Sequence, residues 1–278
     1  EALDDVSIVC MPDLMVLAQE QEDHDLKVVK YVQDMIVSHC ERMGDRVAVL
    51  DPPPDLNPQG VKKWKTDNAP DSSYAALYYP WIEIMDPGLN RSMFIPPSGH
   101  IAGVWARSDG ERGVHKAPAN EIVKNITGLA YDTTKGEQDT LNPIGVNCIR
   151  TFPGRGTRIW GARTLSSNPS WRYLNVRRLF NYVEKSIENS TQWVVFEPND
   201  YDLWARVTRD VTSFLKTVWS SGALFGQTPD EAFYVKCDAT LNPPESRDLG
   251  RLVVEIAMAP VKPAEFVIFR IMQKSEST

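Results

Sequence analysis

An apolar run, an amphipathic helix and a second apolar run follow one another at the start of this chain, and that order constrains the fold more than any other feature. Residues 6–11 (VSIVCM) read as a buried strand that stops at Pro12-Asp13. Across residues 25–42 (DLKVVKYVQDMIVSHCER), Leu26, Val29, Val32, Ile36 and Cys40 recur at helical spacing, and Gly44 supplies a stop. Residues 46–50 (RVAVL) form a second strand, cut off by Asp51 and three prolines. Strand, helix and strand in this order predict parallel pairing with a crossover helix, and hence an α/β fold.

The pattern continues with a short helix around residues 60–65 and a strand over residues 76–84 (AALYYPWIEI covers it). Ser98 reads as the N-cap of a helix that ends near Asp109-Gly110. Residues 121–126 are loop or short strand, and residues 134–141 a helical turn or two. Strands are expected at residues 146–151 and 157–162, a helix at 176–188, and a strand at 193–196 (WVVF). Pro198-Asn199-Asp200 caps a long helix, residues 201–220, whose stripe of Leu203, Trp204, Val207, Val211, Phe214, Leu215 and Val218 faces a core. Two strand-like runs close the chain, residues 252–257 and 265–272, joined by Pro260-Val261-Lys262-Pro263.

Charge is unevenly placed. The chain carries a net −7, yet residues 142–185 hold eight Lys/Arg and a single acid, Glu184. A positive block on a negative body suggests a surface that docks on a complementary partner, another copy included; ordinary solvated charges are the alternative. The overall acidity argues against indiscriminate binding of nucleic acid or anionic membrane. Four dispersed cysteines (Cys10, Cys40, Cys148, Cys237) form no CxxC pair and read as reduced, buried residues of a reducing compartment. No apolar run reaches the ~18 residues of a membrane helix, so no membrane insertion is expected.

The segment NPIGVNCIRTFPGRGTRIWGART, residues 142–164, invites a phosphate-loop reading through Gly154-Arg155-Gly156. No Gly-Lys-Ser/Thr occurs anywhere, and the loop leads into a strand where a dinucleotide fingerprint needs a helix. A glycine turn between two strands, with arginines reaching outward, fits better. Asp13, His39 (or His24) and Ser98 stand in the chain order of a subtilisin-type triad, but neither histidine has a suitable setting. The histidines are too scattered for a metal site. Trp160, Trp171, Phe180 and Tyr182 interleave with the arginines, which leaves a basic nucleic-acid platform as another alternative.

Taken together and in order, residues 96–121 (PPSGHIAGVWARSDGERGVHKAPANE), 141–165, 173–188 (YLNVRRLFNYVEKSIE), 193–200 (WVVFEPND), 222–238 (GALFGQTPDEAFYVKCD) and 259–269 (APVKPAEFVIF) resemble the contractile tail sheath proteins of bacteriophages and related contractile injection systems. The likeness spans essentially the whole chain. It implies a subtilisin-like α/β sheath domain at residues 1–141, an α+β sheath C-terminal domain at 142–250 and a strand-exchange arm at 251–278. "Subtilisin-like" here names a fold relationship and no protease activity.

The resemblance further implies a structural, non-enzymatic subunit without cofactor. It would polymerise as stacked hexameric rings around an inner tube and contract to drive the tube through an envelope. The implied partners are other sheath subunits, the inner tube, and baseplate and terminator proteins, with assembly in the bacterial cytoplasm into a phage tail or injection particle. Glu265, Phe266, Val267, Ile268, Phe269 and Arg270 would form the donated strand; Arg155, Arg158, Arg163, Arg177 and Arg178 would meet a neighbour or the tube. Two departures stand out: the sequence opens at Glu1 inside the resembling region, so the N-terminal arm is expected to be missing, and Ala257 stands where the family leads one to expect glycine.

Overall fold

The computed structural model describes residues 3–18, 23–86, 88 and 90–265, apart from the side chains of residues 23 and 24. Strand β1 (Ile8–Cys10) leads through α1 (Asp23–Met43) to β2 (Val47–Leu50), and α2 (Pro58–Asn68) leads to β3 (Ala75–Tyr79). Next come β4 (Ile82–Asp86), β5 (Arg91–Ile95), α3 (Ser98–Arg112), β6 (Gly128–Leu129) and α4 (Lys135–Leu141). β7 (Val146–Phe152) turns back as β8 (Gly156–Ile159), followed by α5 (Leu174–Ser190), α6 (Tyr201–Ser220), α7 (Pro229–Ala232), β9 (Phe233–Lys236), α8 (Pro244–Asp248) and β10 (Glu255–Met258).

The central sheet has the order β1-β2-β3-β7-β8, with the first four strands parallel and β8 antiparallel at the edge. Because side chains alternate along a strand, each buried strand feeds two cores. Ala48, Leu50, Leu77, Tyr79, Val146 and Cys148 pack on one face against Val37 and Cys40 of α1, Val61 of α2 and Leu141 of α4. Val47, Val49, Ala76, Tyr78 and Ile149 pack on the other against Ile101, Val104 and Trp105 of α3 and Leu174 of α5. The parallel α/β expectation from the opening strand–helix–strand order is therefore met, with helices on both faces.

A separate core gathers Leu179 and Val183 of α5, the α6 stripe Leu203, Trp204, Val207, Val211, Leu215 and Val218, and Phe233 of β9. The antiparallel pair β9–β10 belongs to this unit. Asp200 caps α6 as expected, accepting the Leu203 N–H at 2.9 Å.

Several sequence expectations are corrected. The single strand over residues 76–84 is two strands in different sheets, broken at Pro80-Trp81. Residues 193–196 are no strand: a 3-10 turn (Gln192–Val194) runs into an exposed loop. Ser98 is the first residue of α3 and not its cap; its N–H is satisfied by Asp51 Oδ1 at 2.9 Å, a carboxylate delivered by the end of β2. The run at residues 252–257 shifts to β10 and pairs within its own chain, Ile256 opposite Val235. β5 and β9 have no counterpart in the sequence reading.

Candidate functional site

The basic block divides into an inner and an outer half. Arg163, Arg177 and Arg178, read from sequence as surface residues, are 6–7% exposed. Arg178 donates to both carboxylate oxygens of Asp109 (2.9 and 2.5 Å) and lies over Trp105, 4.9 Å from the ring centroid. Arg177 lies over Trp171 at 3.6 Å and Tyr74 at 4.3 Å, and donates to Ser73 Oγ and the Tyr74 hydroxyl. Burial lowers its pKa, partly offset by Tyr74 and Glu184. These arginines staple α5 to the parallel-sheet unit; they are not offered outward.

The outer half sits on the β7–β8 hairpin. Arg155 is exposed, stacks over Phe152 and Trp160 (5.5 and 5.7 Å) and donates to Asn120 Oδ1 at 3.0 Å. Arg158 donates to the carbonyls of Asn120 and Arg155. Arg150 donates to the Thr133 carbonyl and Gln138 Oε1. All three guanidiniums meet neutral acceptors and no carboxylate among the described residues, so their charge stays available to a partner.

Glu265 marks where the described chain ends, and it is clasped to the body. Arg163 Nε donates to Oε1 at 3.0 Å and Nη2 to Oε2 at 2.5 Å; the Tyr173 hydroxyl adds 3.2 Å and Asn142 Nδ2 3.4 Å. Burial raises the Glu265 pKa, but Arg163, Asn142 and Tyr173 outweigh it and leave the carboxyl below its ordinary value. A strap leads to this clasp: Ala259 O accepts the Phe225 N–H, Val261 N–H donates to Ala223 O, and Val261 O accepts Asn175 Nδ2. Glu265 is thus not in a strand here, and Phe266, Val267, Ile268, Phe269 and Arg270 lie outside the described residues.

The glycines of residues 142–164 build the seat for Arg163. Gly145 has φ +86, and a Cβ there would lie 2.7 Å from Thr164 O; a Cβ on Gly161 would lie 2.9 Å from Asn147 Oδ1. Asn147, fully buried on β7, accepts the Arg163 N–H at 2.7 Å and donates to the Arg163 carbonyl at 2.8 Å. The segment wraps tightly onto the sheet and aims Arg163 at the strap. No sequence signal named Asn142, Tyr173 or Asp109 as partners, because each contact joins distant positions.

The hydrolase candidates Asp13, His39 and Ser98 do not converge, and the His24 side chain lies outside the described residues. Asp13 is exposed on a 3-10 turn, and the ring nitrogens of His39 lie 3.3 and 3.5 Å from Arg42 and Arg46. Ser98 is fully buried, and its hydroxyl meets no partner at hydrogen-bond geometry, although it lies close enough to Asp51 and Cys10 to bias both. Burial pushes the Asp51 carboxyl up to about 7, against the Ser98 N–H hydrogen bond it accepts and the nearby Ser98 hydroxyl. Among the described residues no three His, Cys, Asp or Glu are grouped to hold a metal, and no helix is long and apolar enough to cross a membrane.

Comparison with known proteins accounts for nearly all of the chain. Residues 4–165 match the family model of the phage tail sheath protein central domain, and residues 166–274 that of the phage tail sheath C-terminal domain. The tail sheath protein of Vibrio phage KVP40 is 25% identical over 94% of this chain and 42% of its own length. That of Enterobacteria phage T4 is 26% identical over 63% of this chain and 26% of its own. The chain therefore spans less than half the length of these curated relatives. Among solved structures, the sheath complex of the extracellular contractile injection system PVC in its contracted state is 34% identical, with a TM-score of 0.83 over 99% of this chain and 73% of that one. A chain of the anti-feeding prophage baseplate is 33% identical, with a TM-score of 0.78 over 88% and 65%.

Proposed function

The chain belongs to the phage tail sheath family, and from that premise we propose that it is the structural subunit of a contractile sheath: copies stack as hexameric rings into a sleeve around an inner tube, and the sleeve shortens to drive the tube through an envelope. The observation that carries this reading is the end-to-end match of both family models over residues 4–274, joined to the close likeness to a contracted sheath complex. The chemistry proposed is mechanical. Each subunit gains a few kcal/mol of contact on contraction, and the whole sleeve sums them without a cofactor.

The parallel-sheet unit, which the resemblance relates to subtilisin in fold, serves as a rigid body; Ser98, Asp13 and His39 have no catalytic part. Residues 251–278 act as the arm, with Phe266, Val267, Ile268, Phe269 and Arg270 adding a strand to a sheet of a neighbouring copy. The β9–β10 pair supports such an exchange, because two strands alone are marginal and gain from further pairing. Arg155 and Arg158 contact a neighbouring subunit or the tube, and baseplate and terminator proteins bound the sleeve, assembled in the bacterial cytoplasm.

Electron microscopy of the expressed full-length protein tests this. Long tubular polymers are expected, and deletion of residues 265–278 should abolish them. Polymers that survive the deletion would remove the arm assignment, and a protein that never polymerises would remove the sheath reading.

A further inference from the structure

The loop between α5 and α6 carries two costs, a strained backbone position and an aromatic ring left uncovered by the described residues. Val194–Glu197 form a type II turn: Val195 has φ −64 and ψ 127, Phe196 has φ +69, and the Glu197 N–H donates to Val194 O at 3.1 Å. The third position of such a turn calls for glycine, and a bulky aromatic there is strained. The Phe196 ring is also wholly exposed, at 102% of its reference area, beside Val195 at 64% and Tyr201 at 72%.

The surroundings hold this turn in place. Asn199 accepts from Trp204 Nε1 at 2.8 Å and donates to Arg251 O at 2.9 Å. Arg206 lies over Trp193 at 5.1 Å and donates to Glu197 at 3.1 Å. Strain of this kind persists only where neighbouring contacts over-determine it, and it concentrates where a surface is presented for use.

Beside the turn lies an open cleft of about 640 Å³ lined by Glu197, Asp200, Asp202, Arg206 and Arg209, among others. Its two arginines are already paired, with Glu197 and Asp210, while Asp202 makes no ion pair among the described residues. Elsewhere on the same chain, Arg150 and Arg155 lie over Phe152, Arg155 also lies over Trp160, and Arg158 stands opposite Arg150 on the β7–β8 hairpin; among the described residues all three meet only neutral acceptors. One face is an exposed aromatic with an unneutralised carboxylate; the other is an aromatic-backed cluster of unneutralised guanidiniums.

We propose that the 194–197 turn is an intersubunit anchor, in which Phe196 and the Asp202 side of its cleft receive the arginine-bearing β7–β8 hairpin of a second copy. The two patches differ, so each copy can offer one and receive the other head-to-tail, the arrangement that propagates into rings or helical arrays. An exposed ring on a turn whose next residue, Glu197, opens an acid-lined cleft suits a guanidinium, through its charge and its flat face. The proposal rests on the sheath reading above, to which it adds a contact surface.

Phe196→Gly separates this role from a structural one, because it removes the ring and also relieves the strained φ. In the full-length protein kept below its assembly concentration, the thermal midpoint should hold or rise. The threshold concentration for assembly, read by sedimentation and microscopy, should rise at least tenfold. Asp202→Arg and Arg155→Asp should each raise the threshold, and the two together should restore it at least in part. A lowered midpoint for Phe196→Gly, an unchanged threshold, or a charge swap that fails to rescue would overturn the anchor. Wild type that never assembles would overturn both the anchor and the sheath reading; wild type that assembles alongside an equally competent Phe196→Gly overturns the anchor alone.

Discussion

Replacing Glu265 with glutamine probes the clasp at the root of the C-terminal segment. The substitution keeps volume and one acceptor but removes the charge that Arg163 faces. An exposed ion pair is worth about 0.2–1 kcal/mol, whereas breaking one half of a fully buried pair costs about 3–5 kcal/mol. Here the side chains are 9% and 15% exposed, and Tyr173 and Asn142 also lose their charged acceptor. Glutamine still accepts one hydrogen bond, so a loss of about 2 kcal/mol is expected, nearly all of it local to the strap. That corresponds to a roughly 30-fold increase in local opening.

Amide hydrogen exchange reads this directly. The Val261 N–H, held by Ala223 O, should exchange roughly 30-fold faster in Glu265→Gln, while the β9–β10 ladder at Val235 and Ile256 is unchanged. Because the folded state holds the Glu265 carboxyl below its ordinary value, the clasp is at full strength above that ordinary value. It weakens as pH falls through the lowered folded value. The gap between wild type and glutamine variant should therefore close on acidification, with intrinsic exchange chemistry cancelling in the comparison. Equal exchange in the two proteins at pH 7, or a gap that persists unchanged to low pH, would refute the reasoning.

Two further outcomes follow from the buried charges. Asp51, raised to about 7 by burial, holds a proton that the unfolded chain releases above 3.8, so its contribution is complete below 3.8 and lost as pH rises through about 7. Asp51→Asn retains an acceptor for the Ser98 N–H and should be more stable than wild type at pH 8 by about 1–2 kcal/mol, with no advantage near pH 4; urea midpoints across that range decide it, and a constant difference counts against it. Arg177→Lys loses the flat stack on Trp171 and the paired donors to Ser73 and Tyr74, for about 2 kcal/mol. Arg155→Lys on the exposed hairpin should cost about nothing, and thermal midpoints that move equally for both would show that the inner and outer arginines are not distinct.

What was legible in the sequence follows from the range of the forces involved. β1, α1 and β2 could be read because apolar period and capping are local properties, and Asp200 could be read as a cap for the same reason. The Val194–Glu197 turn was misread as a strand because Val194, Val195 and Phe196 form an apolar run; only exposure distinguishes it, and exposure depends on what fails to pack nearby. β5 was missed for the complementary reason, since its residues are largely exposed and show no buried alternation. Ser98 was credited with a cap that Asp51 supplies to it from the end of another strand.

The arginine block shows the same limit in charge. Sequence places eight cations in one stretch and cannot say which of them are spent. Arg163 finds Glu265 about a hundred positions later, Arg178 finds Asp109 in α3, and Arg177 turns into an aromatic slot. Each of these pairings ties α5 or the strap to the parallel-sheet unit, so the block's first task is to join the halves of the subunit. What remains on the hairpin is a smaller cluster facing neutral acceptors. Desolvated guanidiniums with partners resist replacement; more accessible ones that meet no carboxylate among the described residues hold their charge for another molecule. A partner that selected this chain by charge would meet Arg150, Arg155 and Arg158, while Arg163, Arg177 and Arg178 hold α5 and the strap against the sheet.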